Sequence, residues 1–147
     1  MDKIIEYMLA EDEGFGDITS NAVVDDDKIV TAQIISKDEG ILAGIDVIGE
    51  LFEEKSVEVT YSLADGAEIS KGDLLISLKG DAKTILLLER TALNLLMRMS
   101  GVATGANSYV KMVKDYDVRI AGTRKTSPAI AKFDKYALSV GIGTTHT

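Results

Sequence analysis

Cysteine is absent from the 147 residues of the chain. Without a thiol the protein can form no disulfide, no thiolate metal site and no cysteine nucleophile. The start of the chain carries Asp2 and no uninterrupted apolar run, so it does not resemble a secretory signal. We therefore expect a cytoplasmic protein.

Basic residues are scarce as well. The chain has 16 lysines and arginines against 24 aspartates and glutamates, which gives a formal net charge of -8. A nucleic-acid surface needs clustered cations that displace the counterions of phosphate, so this balance argues against nucleic acid as a partner. Small anionic ligands are not excluded, because a local pair of cations can dominate a desolvated pocket.

A long uncharged apolar run is also missing. The most apolar segment, residues 82–99, predicts a helix with Asp81 as its N-cap. Lys83, Glu89, Arg90 and Arg98 interrupt this segment. Because charges at a bilayer centre are costly, we expect a buried helix and no membrane partner.

The remaining composition and patterning are those of a folded mixed α/β protein, with 46% hydrophobic and 27% charged residues. Helical periodicity predicts helices over residues 2–9, 45–54, 82–99 and 106–113. Strands are predicted over residues 29–35, 56–63, 74–78 and 118–121. The first part, residues 1–103, is thus a small α+β arrangement, and residues 104–147 resemble the opening of a second, βα-type domain.

The segment after the last predicted strand, which we call the 122–128 turn, carries Arg124 and Lys125. Pro128 suits the first position of a following helix, which Ser127 or Thr126 would cap. Parallel βα folds bind anions at such strand-to-helix turns. An arginine fork and a mobile lysine could address two anionic groups of one ligand. An ordinary solvated basic turn explains the same residues.

Two other residues are candidates for a site. Arg90, beside Glu89 on an apolar helix, either pairs locally or reaches an opening. His146 is the only histidine, and a lone histidine at this place is ordinarily just exposed. No serine or histidine arrangement suits covalent catalysis, so no catalytic residue is assigned.

Four ordered motifs together carry a family resemblance. They are LAEDEGFGDIT at 9–19, ERTALNLL at 89–96, MSGVAT at 99–104 and TRKTSP at 123–128. In these four motifs the chain resembles the quinolinate phosphoribosyltransferases, the carboxylating nicotinate-nucleotide pyrophosphorylases of NAD biosynthesis. The resemblance implies a mixed α/β sandwich domain followed by the first elements of an incomplete α/β barrel.

The activity implied by the resemblance is a pentosyl transfer. Phosphoribose passes from phosphoribosyl pyrophosphate to quinolinate with Mg²⁺, and nicotinate mononucleotide, pyrophosphate and carbon dioxide are formed. By motif, Arg124, Lys125 and His146 would bind substrate. Arg90 would reach the site of the neighbouring subunit in a homodimer or a higher homo-oligomer.

The end of the chain departs from the family pattern. Ile142 stands where the family has a glycine, and Thr147 follows His146 where the family has an arginine. Further residues of the family pattern, including the acidic residues on the metal side, lie beyond the chain. We therefore expect the chain to be a fragment or a truncated relative that does not turn over substrate. A non-catalytic binding or assembly module and a ModD-like relative of molybdenum gene clusters are the alternatives.

Overall fold

The computed structural model describes residues 2–13 and 28–143. Its first element is helix α1, Lys3–Asp12. Asp2 caps this helix, because its carboxylate accepts a hydrogen bond of 2.8 Å from the backbone N–H of Ile4. The helix predicted over residues 2–9 is confirmed and extends to Asp12. The acidic run at 25–27 and most of the first motif lie outside the described residues.

Five strands form two sheets. They are β1 (Ile29–Ile35), β2 (Gly40–Ile41), β3 (Glu58–Ser62), β4 (Glu68–Ile69) and β5 (Leu74–Asp81). The main sheet is antiparallel in the order β1-β5-β3, and β2 pairs with β4. Because β5 is central, its side chains supply most of the sheet's core. The three longer strands were predicted, whereas β2 and β4 are too short to show a period.

Helix α2, Ile45–Glu54, has the bounds that its apolar stripe predicts. Ile48, Leu51 and Phe52 lie on one face and are almost completely buried. The residue before α2, Gly44, has a φ of 107° and lies close to Met99. A side chain at this position would be strained by the left-handed backbone, so glycine is needed there.

Helix α3, Ala82–Val113, is one element of 32 residues. The predicted N-cap is confirmed, since Asp81 accepts a hydrogen bond of 3.0 Å from the N–H of Thr84. The break predicted at Gly101 and Gly105 is wrong, because the helix runs through both. Glycine weakens a helix by about 1 kcal/mol without removing its hydrogen bond. The buried face continues across this stretch and holds the helix together.

The strand predicted over residues 118–121 is also wrong, since the structure has no strand there. A strand exists only when its backbone pairs with a neighbour. These residues are mostly exposed, and none of the described strands lies beside them. The 122–128 turn therefore follows an irregular segment.

Helix α4, Ala131–Ile142, begins three residues later than predicted. Pro128 and Ile130 belong to a turn, and Ala129 between them has a φ of 69°, which interrupts a right-handed helix. No side chain caps α4. Phe133 and Ala137 are buried, whereas Ile130 and Val140 are only half-buried.

The core lies where α2 and α3 cover the main sheet and where α4 packs on α3. This arrangement confirms the mixed α/β fold. The predicted boundary between residues 103 and 104 falls inside α3, so the division into domains 1–103 and 104–147 stays a prediction. Over the described residues, none of the helices combines the length and apolarity needed to cross a membrane.

Candidate functional site

A cavity of about 540 Å³ lies between α1, α3 and α4. Apolar side chains from the three helices, including Met8, Leu95 and Phe133, form part of its lining. Arg90 and Arg98, two turns apart on α3, also line it. A smaller cavity of about 330 Å³ shares Arg90 with the first, so this arginine borders both openings.

Arg90 forms an ion pair with the last residue of α1. Its Nη1 lies 2.8 Å from Oδ1 of Asp12, and its side chain is 75% exposed. The local pair with Glu89 that the sequence allowed is not formed. Exposed ion pairs are worth roughly 0–1 kcal/mol, so the guanidinium of Arg90 can exchange this partner at little cost.

Arg98 is held by three hydrogen bonds. Its Nε and Nη2 donate to Oδ1 and Oδ2 of Asp134 on α4, each at 2.9 Å. Its Nη2 also donates to Oγ of Ser127 at 3.0 Å. The hydrogen bond that Arg98 donates to Asp134 is the main cause that raises the pKa of Arg98 above its usual value. Arg98 therefore joins α3 to α4 and to the last part of the 122–128 turn.

The side chains of Arg124 and Lys125 are exposed and do not line either cavity. Within residues 2–13 and 28–143, neither has an ion-pair partner. The backbone N–H of Lys125 donates to Oγ1 of Thr123 at 3.0 Å, which closes a local turn. The two cations are thus presented to solvent by an irregular loop rather than by the predicted strand and helix.

His146 lies outside the described residues, so its position relative to Arg124 and Lys125 stays a prediction. Arg98, Ser127 and Asp134 were not singled out from the sequence as site residues. A signal existed for Arg98, because Arg90, Asn94 and Arg98 recur at intervals of four and so share one face of α3. The spacing of residues does not predict that Arg98 pairs with Asp134.

The MSGVAT segment has a structural role. The hydroxyl of Ser100 accepts from the N–H of Ala43 at 3.1 Å, and the hydroxyl of Thr104 accepts from the N–H of Ile41 at 2.9 Å. Met99 and Ala103 in the same segment are fully buried. This motif therefore fixes α3 against the segment that contains β2.

A magnesium ion finds no evident ligands in the described chain. Residues 2–13 and 28–143 contain no cluster of three or more histidine, aspartate or glutamate side chains that could hold a metal. Two acidic residues line the cavity, Glu11 and Asp12, and the carboxylate of Asp12 is already paired with Arg90. We therefore assign no metal ligand to these residues.

Family models match nearly the whole chain. The model of the quinolinate phosphoribosyl transferase N-terminal domain matches residues 17–100, and that of the C-terminal domain matches residues 102–147. Both segments of the chain thus correspond to successive domains of one family.

Curated relatives agree with these models. The chain is 41% identical over 145 residues to a probable carboxylating nicotinate-nucleotide pyrophosphorylase of Methanothermobacter thermautotrophicus, covering 97% of this chain and 52% of the relative. It is 44% identical over 146 residues to the protein of that name from Methanocaldococcus jannaschii, covering 98% and 51%. The chain therefore spans about half the length of these relatives.

A solved structure shows the same fold. NadC from Streptococcus pyogenes superimposes with a TM-score of 0.91 at 32% identity, covering 99% of this chain and 54% of that chain. The described helices and strands therefore have the arrangement found in the matched part of that protein. Sequence models, relatives and structure agree that the chain belongs to the quinolinate phosphoribosyl transferase family.

Proposed function

We propose that the chain is part of a pentosyltransferase that moves phosphoribose from phosphoribosyl pyrophosphate to quinolinate. The products are nicotinate mononucleotide, pyrophosphate and carbon dioxide, as in NAD biosynthesis. The observation that carries the proposal is the 122–128 turn. It keeps the TRKT sequence of the resemblance and presents Arg124 and Lys125 without an ion-pair partner among the described residues.

The chemistry of the substrates suits these two side chains. Quinolinate carries two carboxylates, of which one can accept the guanidinium fork of Arg124 and the other the ammonium of Lys125. Transfer breaks a carbon–oxygen bond to pyrophosphate and forms a carbon–nitrogen bond. Because positive charge develops on the ribose and negative charge on the leaving group, fixed charges suffice and no protein nucleophile is required.

Mg²⁺ is proposed to accompany phosphoribosyl pyrophosphate and to neutralise part of its charge. We assign it no ligand among the described residues. His146 is proposed to line the pocket of Arg124 and Lys125. A cytoplasmic location is proposed for the enzyme, and the absence of cysteine supports it.

We also propose a homodimer, or a higher homo-oligomer, in which Arg90 enters the site of the neighbouring subunit. The exposure of its side chain supports this role, because Asp12 is the one ion-pair partner of Arg90 within residues 2–13 and 28–143. Met97 lies two turns farther along the same face of α3, is 63% exposed and borders the smaller cavity together with Arg90. An apolar side chain beside a weakly held cation suits a contact between subunits.

Calorimetric titration of quinolinate into the chain tests the proposal. We expect Arg124→Ala to weaken binding by about 10-fold to 100-fold, since a charged hydrogen bond contributes about 1.5–3 kcal/mol. Arg119→Ala is the matched control, because it removes an equally exposed arginine just before the turn. Wild-type affinity should persist in this control.

Three results would contradict the proposal. Heat that is equal in the wild type and Arg124→Ala would remove the turn from the site. Absence of heat in all three proteins would favour the non-catalytic binding module. Preference for another anion over quinolinate, lost in Arg124→Ala, would favour the ModD-like alternative.

A further inference from the structure

We propose that Arg98 is a positioning residue for the 122–128 turn: through Ser127 and Asp134 it fixes the backbone that presents Arg124 and Lys125. The identity of the anion that binds there depends on the proposed function. The attachment of the turn is independent of that function, because it follows from the contacts of Arg98 alone.

The turn has little support of its own. Within the described residues, no backbone–backbone hydrogen bond holds positions 122–126, and these positions belong to no helix or strand. The bond from the N–H of Lys125 to Thr123 is local and cannot orient the turn relative to the protein. An exposed loop of this kind would otherwise sample many conformations, at an entropic cost to any ligand that needs one of them.

Two contacts attach the turn at its ends. At the first end, Gly122 lies so close to α4 that an added Cβ would stand 2.7 Å from Cδ2 of Leu138. At the other end, Nη2 of Arg98 donates to Oγ of Ser127 at 3.0 Å. The residues between these two points include Arg124 and Lys125. Arg98 thus restrains the end of the turn that leads into α4.

Asp134 makes Arg98 rigid enough for this task. The carboxylate accepts from Nε and Nη2 at 2.9 Å each, which fixes the plane of the guanidinium. The side chain of Arg98 is 45% exposed and that of Asp134 is 15% exposed, so the two-point geometry rather than burial holds this pair. A lysine at position 98 could keep the charge but not the two-point geometry.

A purely architectural role is the competing explanation, because the pair with Asp134 also joins α3 to α4. The two explanations differ at Ser127. If Arg98 only joins the helices, removal of the Ser127 hydroxyl has no effect on the turn. If Arg98 positions the turn, Ser127→Ala should loosen it while the pair between Arg98 and Asp134 stays intact.

Backbone ¹⁵N relaxation measures the order of the turn directly. We expect Arg98→Ala and Ser127→Ala each to lower the order parameters of residues 123–127 toward the values of flexible loops, below about 0.6. Order parameters of α2 and β5 should equal those of the wild type, and Arg119→Ala should change neither region. Unchanged order parameters at residues 123–127 in Ser127→Ala would overturn the proposal, even if Arg98→Ala failed to fold.

A double-mutant cycle tests whether Arg98 acts through Arg124. Quinolinate affinity is measured for Arg98→Lys, Arg124→Ala and the double variant. We expect Arg98→Lys to weaken binding about threefold to tenfold in the wild type and to have a smaller effect once Arg124 is alanine, because only Lys125 is then left to be positioned. Additive losses would overturn the positioning role. If the wild type bound no quinolinate, the proposed function would fail, and the relaxation result would still decide whether Arg98 holds the turn.

Discussion

At the scale of single residues, Asp65 joins three parts of the fold. Its Oδ1 accepts from the N–H of Ile45 at 2.8 Å, which satisfies a donor at the start of α2. Its Oδ2 accepts from the hydroxyl of Tyr136 on α4 at 2.6 Å. One carboxylate therefore connects the loop after β3, the start of α2 and the helix that follows the 122–128 turn.

Tyr136→Phe should lower the free energy of unfolding by about 1–2 kcal/mol at neutral pH. The substitution removes a hydrogen bond to a carboxylate, while Asp65 keeps its bond to Ile45. Urea unfolding of the two proteins measures the difference. Tyr61→Phe is the matched control, because the hydroxyl of Tyr61 has no hydrogen-bond partner in the described part of the chain, and its stability should equal that of the wild type. Equal losses in both variants would contradict the role of the Tyr136 bond.

Tyr136 also predicts a pH dependence. Burial, and then the hydrogen bond and the charge of Asp65, raise the pKa of Tyr136 far above its usual value near 10. A pKa that is higher in the folded state gives a contribution that is complete below pH 10 and is lost as the pH rises further. Above pH 10 the free energy of unfolding of the wild type should therefore fall more steeply with pH than that of Tyr136→Phe. Parallel profiles would contradict this assignment.

At the scale of elements, the packing of α4 on α3 depends on Gly141. A Cβ added there would lie 2.3 Å from the carbonyl oxygen of Ala103, closer than any real contact. Because the obstacle is backbone, the helices must separate to admit it. We expect Gly141→Ala to lower the free energy of unfolding by about 1–3 kcal/mol, the usual cost of overpacking.

Gly101→Ala is the matched control for this prediction. Gly101 lies inside α3, and an added Cβ would meet nothing within 4 Å. The higher helix propensity of alanine should raise the free energy of unfolding by about 0.5–1 kcal/mol. Thermal unfolding of both variants measures the two shifts. Similar shifts of one sign would show that helix propensity, and not the contact with Ala103, decides the effect at position 141.

The elements differ in how far their sequences determine them. The bounds of α2 follow from its apolar stripe, and β1 follows from its β-branched residues, because both signals are local. The continuity of α3 was not predictable from glycines alone, since buried contacts on the sheet side override their low propensity. The prediction of a strand at 118–121 is wrong, because a strand needs a partner strand, which no local pattern specifies.

The charged residues of the candidate site could be predicted from the sequence, but the contacts between them could not. Arg124 and Lys125 stand out by position, and Arg90 stands out by its apolar surroundings. The contacts of Arg98 with Ser127 and Asp134 span 29 and 36 residues. Such pairs form only when α3 and α4 pack together, so local patterns in a single sequence do not predict them.

At the scale of the whole molecule, one exposed apolar surface suits self-association. Leu86 and Met97 on α3 are 40% and 63% exposed and border the same cavity as Arg90. The net charge of -8 makes two copies repel each other at long range, so an apolar contact is needed to hold them together. If the proposed dimer exists, this surface of α3 is where we expect the two copies to meet.

Met97→Glu tests this contact. Burying a carboxylate in an apolar interface costs several kcal/mol, so the dimer dissociation constant should rise at least about tenfold, as measured by sedimentation velocity. Met112→Glu is the control, because Met112 is 69% exposed on the same helix but lies about 22 Å farther along it. Both variants add one negative charge, so any general repulsion affects them equally. Equal dissociation in both would attribute the effect to net charge, whereas weakening confined to Met97→Glu would place the contact beside Arg90.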